Sequence, residues 1–216
     1  MPTDVFIRPE GGTLERALGF SSYGIGGAEI FTFLSVNKRR VPEGVLWCGE
    51  KNGRTQCVIY NNGDLTVTLR EGADPYPGLV LMRFVGKIPE CRADALCTRD
   101  ALEAYRLLGG GVLSPANEER YVYRARTMRD GFSFGFGVKE ENSLVSFAFI
   151  TAKNLDSCLI GDVFTVQEFR NIGFASRCVL SAAGKSLEMN CEPFVLCEEK
   201  NKSFYKKLGF EETDHI

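Results

Sequence analysis

The sequence predicts an α/β (α+β) chain built from two similar halves. Three observations carry that expectation. Strand-like and helix-like apolar patterns alternate along the chain. The order of elements in the first half returns in the second. A shift of one hundred positions lays CRADALCTRDALEAYRLLGG (91–110) over CEPFVLCEEKNKSFYKKLGF (191–210) with six identities: Cys91/Cys191, Leu96/Leu196, Cys97/Cys197, Tyr105/Tyr205, Leu108/Leu208 and Gly109/Gly209. Average composition gives roughly one by chance over that length. The pattern reads as a diverged duplication, with halves at residues 1–117 and 118–216. The alternative is two strand–helix–Gly units alike for generic reasons.

In the first half, Thr13–Leu18 is a short helical candidate, followed by a Gly-rich stretch and the apolar run Ile30–Leu34. Val45–Cys48 and Gln56–Tyr60 flank a turn at Lys51-Asn52-Gly53 and read as a hairpin. Asp64–Leu69 reads as a third strand, and Pro77–Val85 and Arg99–Leu108 as helices. Gly109-Gly110-Gly111 stops the second helix. Ser114–Asn117 is a connector. In the second half, Tyr121–Arg126 reads as a strand. Phe132, Phe134 and Phe136 alternate with small residues, and Glu140–Ser143 turns the chain. Leu144–Thr151, Leu159–Thr165 and Phe194–Cys197 read as strands. Ser176–Leu187 and Ser203–Leu208 read as helices.

A 216-residue chain buries a real core. Its net charge of −2 leaves no electrostatic footprint for nucleic acid or an anionic membrane. No apolar run approaches the roughly 20 residues of a membrane span, and no secretory signal opens the sequence. The eight cysteines form no Cys-x-x-Cys pair and the only histidine is His215, which argues against zinc and against Ser-His or Cys-His catalysis. Reduced, buried cysteines fit a cytoplasmic protein.

The chemistry concentrates near the C-terminus. Asp162–Cys178 reads DVFTVQEFRNIGFASRC: an apolar strand, a loop with Gly173 and the small Ala175, then a helix. Such a loop presents unpaired backbone N–H groups and the positive end of a helix dipole, which suits a pyrophosphate. Arg170 adds a positive charge at the rim. The matching stretch of the first half, Arg70–Pro77, carries two prolines that lack amide donors, and Glu71 and Asp74 repel anions. It is not expected to bind phosphate.

Arg170-x-x-Gly173-x-Ala175 after a strand, with a second strand–helix unit following, resembles the GNAT superfamily of acyl-CoA-dependent N-acetyltransferases. The second unit, with Cys197, Asn201, Phe204, Tyr205, Lys207, Gly209 and Phe210, is similar to the CoA-side motif of glucosamine-6-phosphate acetyltransferases within it. The resemblance covers roughly residues 120–210. It implies the GNAT fold, a mixed and mostly antiparallel sheet flanked by helices, here as tandem GNAT-like halves with the first degenerate. It implies acetyl-CoA as co-substrate, no metal, and a small-molecule or peptide amine as acceptor. Val163, Phe164 and Thr165 are then expected along the pantetheine arm. Arg170, Asn171, Ile172, Gly173, Phe174, Ala175 and Ser176 are expected at the pyrophosphate, and Asn201 on the arm. Tyr205 is either the acid that protonates the leaving thiolate or a packed aromatic.

Among carboxylates, Glu198 is the preferred base. Asp162 lies on a face set by any bulge, Glu140 and Glu141 read as solvated turn residues, and Glu199 lies with Glu198 near the cofactor arm. Gln167 replaces the family's usual Pro. Only Thr127–Gly131 separates the Tyr121–Arg126 strand from the next, which leaves no room for the family's first two helices. The first half is therefore expected to wall the acceptor site. A different class of function, a non-catalytic CoA-binding or protein-interaction module, fits a chain with no evident base and a decayed first half.

Overall fold

Four strands near the N-terminus pair only with one another, in the order of the chain. They are β1 (Val5–Ile7), β2 (Leu46–Lys51), β3 (Arg54–Asn61) and β4 (Thr66–Arg70), all antiparallel. Helices α1 (Gly12–Phe20) and α2 (Ala28–Val36) lie between β1 and β2. Leu14, Ala17, Ile30, Phe33 and Leu34 of these helices pack on Leu46, Cys48, Val58, Tyr60 and Val67 of the strands. The computed structural model describes residues 5–7, 12–22, 24–37, 41, 45–51, 54–61, 66–70, 76, 78–90 and 92–214. The expectations for Asn52, Gly53, Glu71, Asp74, Pro75, Pro77, Cys91 and His215 lie outside these residues.

A seven-stranded sheet follows. It contains β5 (Val80–Phe84), β6 (Asp94–Leu96), β7 (Phe134–Glu140), β8 (Ser143–Lys153), β9 (Ser157–Thr165), β10 (Glu192–Cys197) and β11 (Phe210–Glu212), in the order β11-β5-β10-β9-β8-β7-β6. Only β9 and β10 run parallel; every other pair is antiparallel. The mixed, mostly antiparallel sheet flanked by helices is therefore present. Helices α3 (Thr98–Leu108) and α4 (Pro115–Arg129) stand between β6 and β7. Helix α5 (Phe174–Glu188) links β9 to β10 and α6 (Lys202–Lys207) links β10 to β11. The apolar side of α5, with Cys178, Val179, Ala182 and Ala183, packs on Val138, Ala148, Ile150, Ile160 and Val195 of the sheet. Of these, each buried Val or Ile contributes about 1.5–3 kcal/mol.

Two expected elements are corrected. Val80–Phe84 is a strand, where a helix over Pro77–Val85 was expected. A short apolar run fits either period, and here unpaired edges on both sides decide it: Met82 faces Val195 of β10 and Glu212 of β11. Tyr121–Arg126 is helix, inside α4, where a strand was expected. Its start lay in the supposed connector. Ser114 caps the helix by accepting from the Asn117 amide at 3.3 Å, and Pro115 occupies the first turn. The alternation of Tyr and Arg mimicked a period of two, but side chains of Arg124 and Thr127, three apart, are the buried ones.

With α3 and α4 in place, the two helices thought missing are present. The 117/118 boundary runs within α4, and the sheet they pack on also takes β5 from before it. The repeat itself is real but differently registered. β1, β2, β3 and β4 begin at Val5, Leu46, Arg54 and Thr66, and β6, β7, β8 and β9 at Asp94, Phe134, Ser143 and Ser157. The spacings are 89, 88, 89 and 91 residues. Both sets run strand, two helices, then a three-stranded meander. The segments 91–110 and 191–210, matched at one hundred, hold β6, an edge strand, and β10, an interior strand, of the same sheet.

Candidate active site

β9 and β10 are joined from Ser157/Glu192 to Ile160/Val195 and then part. Beyond that point each strand keeps a free edge toward the other. On its other edge β9 pairs with β8, and the register shifts between Phe147 and Phe149. There Asp162 takes a left-handed φ of 48°, the mark of a bulge. The bulge re-aims the side chains. Ile160 and Val163 face α5, whereas Leu159, Asp162 and Phe164 face the side of α2, α3 and α4.

Past the bulge the chain makes a 3-10 turn at Gln167–Phe169 and enters α5 through Asn171 (φ 63°) and Gly173 (φ 92°). Both angles lie in the left-handed region, which Asn tolerates and Gly adopts without penalty. No side chain caps α5 and no acidic residue stands in its first turn, so its leading N–H groups remain available. Arg170 Nε donates to the Thr165 carbonyl at 3.1 Å, which ties the loop back to the end of β9.

A cavity of about 600 Å³ opens here. Its wall includes Val163, Phe164 and Thr165 from β9, Arg170, Asn171, Gly173, Phe174, Ala175 and Ser176 from the loop and α5, and Asn201 ahead of α6. Every residue expected at the cofactor is thus brought together except Ile172, which is 59% exposed and turned outward. Phe204 of the CoA-side motif also lines the wall, as does Phe169, for which no role was expected. Phe169 stacks on Phe174 at 6.4 Å, so it belongs to the loop's own packing.

Tyr205 is buried beside the cavity rather than on its wall, edge-on to Phe204 and Phe210. Burial, then the neighbouring Cys197, pushes its phenol up to about 12. It therefore stays protonated at neutral pH. Cys197 lies two residues beyond Val195, where the strands part. Glu198 is not brought to the cavity: its side chain is 60% exposed and pairs with Lys200 at 2.6 Å. Glu199 pairs with Lys202, and Glu140 and Glu141 are exposed at the β7–β8 turn.

The opposite face of the bulge holds a charged network that the misread α4 concealed. Asp162 accepts from Tyr105 Oη at 2.6 Å, Arg120 at 2.8 Å and Arg124 at 3.2 Å. Arg124 also donates to Tyr105 Oη, Ser133 Oγ and the Thr151 carbonyl. Burial would raise the Asp162 carboxyl, but Arg124 first, then Tyr105 and Arg120, hold it below the usual carboxylate range. Arg120 and Arg124 stand four apart, a helical pair that the helix reading would have exposed. Phe147 is core, and Phe134 and Phe136 pack on the α5 side.

The Acetyltransferase (GNAT) family matches residues 98–210, just over half of the chain. No curated protein sequence matches the chain. Among solved structures, a GNAT-family acetyltransferase from Colwellia psychrerythraea is similar over 97% of this chain and 96% of its own, at 10% identity and a TM-score of 0.60. A tandem GNAT protein from the clavulanic acid biosynthesis pathway is similar over 98% of this chain and 95% of its own, at 13% identity and a TM-score of 0.59. A GNAT-family protein from Novosphingobium aromaticivorans matches 66% of each chain, at 20% identity and a TM-score of 0.51.

The chain belongs to the GNAT acetyltransferase family. It is a GNAT-type N-acetyltransferase whose fold repeats the family's opening strands and helices in an N-terminal, degenerate half. Among the described residues, no helix is long and apolar enough to cross a membrane, and no cluster of His, Cys, Asp and Glu could hold a metal ion.

Proposed function

We propose that the enzyme moves an acetyl group from acetyl-CoA to an amine by direct attack. The single observation that carries this reading is the shared wall formed by the free edge of β9, the uncapped start of α5 and Asn201. It offers a pyrophosphate the N–H groups of residues 174–176 and the helix dipole, with Arg170 at the rim. It offers an amide-bearing arm the unpaired backbone of Val163–Thr165. The parting of β9 and β10 beyond Ile160 and Val195 leaves room for a thioester between them.

The amine nitrogen attacks the carbonyl carbon, and backbone N–H groups of the free edge hold the oxyanion. As the C–S bond breaks, Tyr205 gives its proton to the sulfur and later regains one from solvent. A phenol held protonated beside Cys197 suits that role. The acceptor is a small-molecule or peptide amine. The seven described cysteines carry free thiols, which fits a cytoplasmic enzyme. Calorimetric titration of the whole chain with acetyl-CoA tests the donor. Saturable binding at one site per chain is expected, and no heat at about 1 mM ligand, a concentration that detects even −4 kcal/mol, would overturn the reading.

A further inference from the structure

A buried carboxylate persists only with partners or with its proton. The face of the sheet opposite the cavity holds two carboxylates, and they differ. Asp162 accepts on both oxygens, from Arg120 at Oδ1 and from Tyr105 and Arg124 at Oδ2. Glu29, in the first turn of α2, has an Oε2 sealed from solvent with no hydrogen-bond partner among the described residues. Arg124 spends its donors on Tyr105, Ser133, Thr151 and Asp162, not on Glu29. The Glu29 residue as a whole keeps partial exposure, so it remains reachable.

Its position is fixed against the parting strands. Ile25 and Ala28, on either side of the α2 start, pack on Leu159 of β9 and Phe194 of β10, one residue before the last paired positions Ile160 and Val195. Leu196, just past the parting, packs on the same group. Three bonds clamp this turn to the β8–β9 connection and the segment before β5. The Gly24 amide donates to Asp156 at 3.0 Å, Asn154 Nδ2 donates to the Gly24 carbonyl at 2.7 Å, and Tyr76 Oη donates to the Ile25 carbonyl at 3.3 Å. The N-terminal half thus holds an unmatched carboxylate in the first turn of a helix whose start packs on β9 and β10 next to their parting point.

We propose that Glu29 is the general base of the transfer, taking a proton from a cationic primary amine that enters on the α2 side of the sheet. The inference rests on the acetyl-CoA reading above. In the balanced step, the ammonium gives one proton to the Glu29 carboxylate and the freed nitrogen forms the C–N bond. As the C–S bond breaks, a second N–H proton leaves to solvent while Tyr205 supplies the thiol proton. Glu29 then releases its proton to solvent. Burial, partly offset by Arg124 and reinforced by Asp162, pushes the Glu29 carboxyl up to about 7, the range in which a base works best near neutrality. The groups that face it are Arg124 and Tyr123 of α4, Asp162 of β9 and Tyr76 before β5.

The test measures thiol release from acetyl-CoA with ethanolamine, spermidine, lysine and a short peptide, from pH 5.5 to 9, for the wild type, Glu29→Gln and Glu29→Asp. Calorimetry with CoA runs alongside. Glu29→Gln is expected to bind CoA as the wild type does while losing about 10²–10⁴-fold in kcat/KM for the amine. The rise of wild-type rate with an apparent pKa near 7 should vanish with it. Glu29→Asp should keep a rising limb at lower rate, so a folding failure of the Gln variant leaves the question decidable. Failure of the wild type to bind CoA sinks the donor reading and the inference together. CoA binding with no turnover of any amine, or a Gln variant within twofold of wild type across the range, overturns the inference alone.

Discussion

The Tyr105 hydroxyl donates to the Asp162 carboxylate across 2.6 Å, joining α3 to the bulge in β9. With Arg124, it ties the bulge to α3 and α4. Removing Asp162 leaves Arg124 buried and unmatched. Asp162→Ala should therefore cost about 3–5 kcal/mol, the usual penalty for stranding a buried charge. Urea unfolding at pH 7 measures it, and a cost near zero would show the network is dispensable. The native Asp162 carboxyl lies below its unfolded value, so its contribution is present above that value and lost as pH falls through the native one.

Glu29 has the opposite sign. Its native carboxyl is raised from 4.5 to about 7, so between those values the folded chain holds a proton that the unfolded chain lacks. Stability then falls as pH rises through that window, by about 3 kcal/mol in total, and levels off above it. Glu29→Gln should leave stability at pH 4.5 little changed and raise it at pH 8. Parallel denaturation of both proteins at the two pH values checks this; a variant equally destabilised at both contradicts the buried, unmatched carboxylate.

Gly173 stands at φ 92° with open space where a side chain would point, and it lines the cavity. Gly173→Val should strain the loop by about 1–3 kcal/mol and weaken CoA binding by more than tenfold. Ile172→Ala, at an outward position, should leave affinity unchanged. Calorimetry on the pair separates a local cradle from a general loss of loop order.

Tyr205→Phe keeps the packing against Phe204 and Phe210 and removes only the hydroxyl. Turnover should drop about 10²-fold or more while CoA affinity stays within a factor of two. Equal turnover would assign Tyr205 to packing alone.

Gly209 has φ 93°, and a Cβ there would lie 2.7 Å from the Gly86 backbone, where β11 meets the end of β5. Gly209→Ala should cost upwards of 1 kcal/mol through strain and displacement of β5. Unchanged thermal unfolding would show that the close approach relaxes freely.

The cavity was legible because its lining is local. Arg170, Gly173 and Ala175 sit within one strand–loop–helix unit, and Asn201 within the next. The charged network on the opposite face was not, because it is built from contacts far apart in sequence. Tyr105, Arg124 and Asp162 meet only when α4 is a helix, and the period-two spacing of Tyr121, Tyr123 and the arginines hid it. The Ser114-Pro115 start would have revealed it. β5 was misread because its strand character comes from the free edges of β10 and β11, which no local pattern records. The two-half plan was visible, but the identities at one hundred residues set the wrong register. Asn52 and Asn142, ninety apart in the sequence, match the spacing of the strands.

A crystal structure of the whole chain with CoA tests the central claim most directly. The pyrophosphate should lie on the amides of residues 174–176 and the sulfur between β9 and β10, beyond Ile160 and Val195 and beside Tyr205. CoA bound elsewhere, or a cavity left empty under saturating CoA, would contradict it.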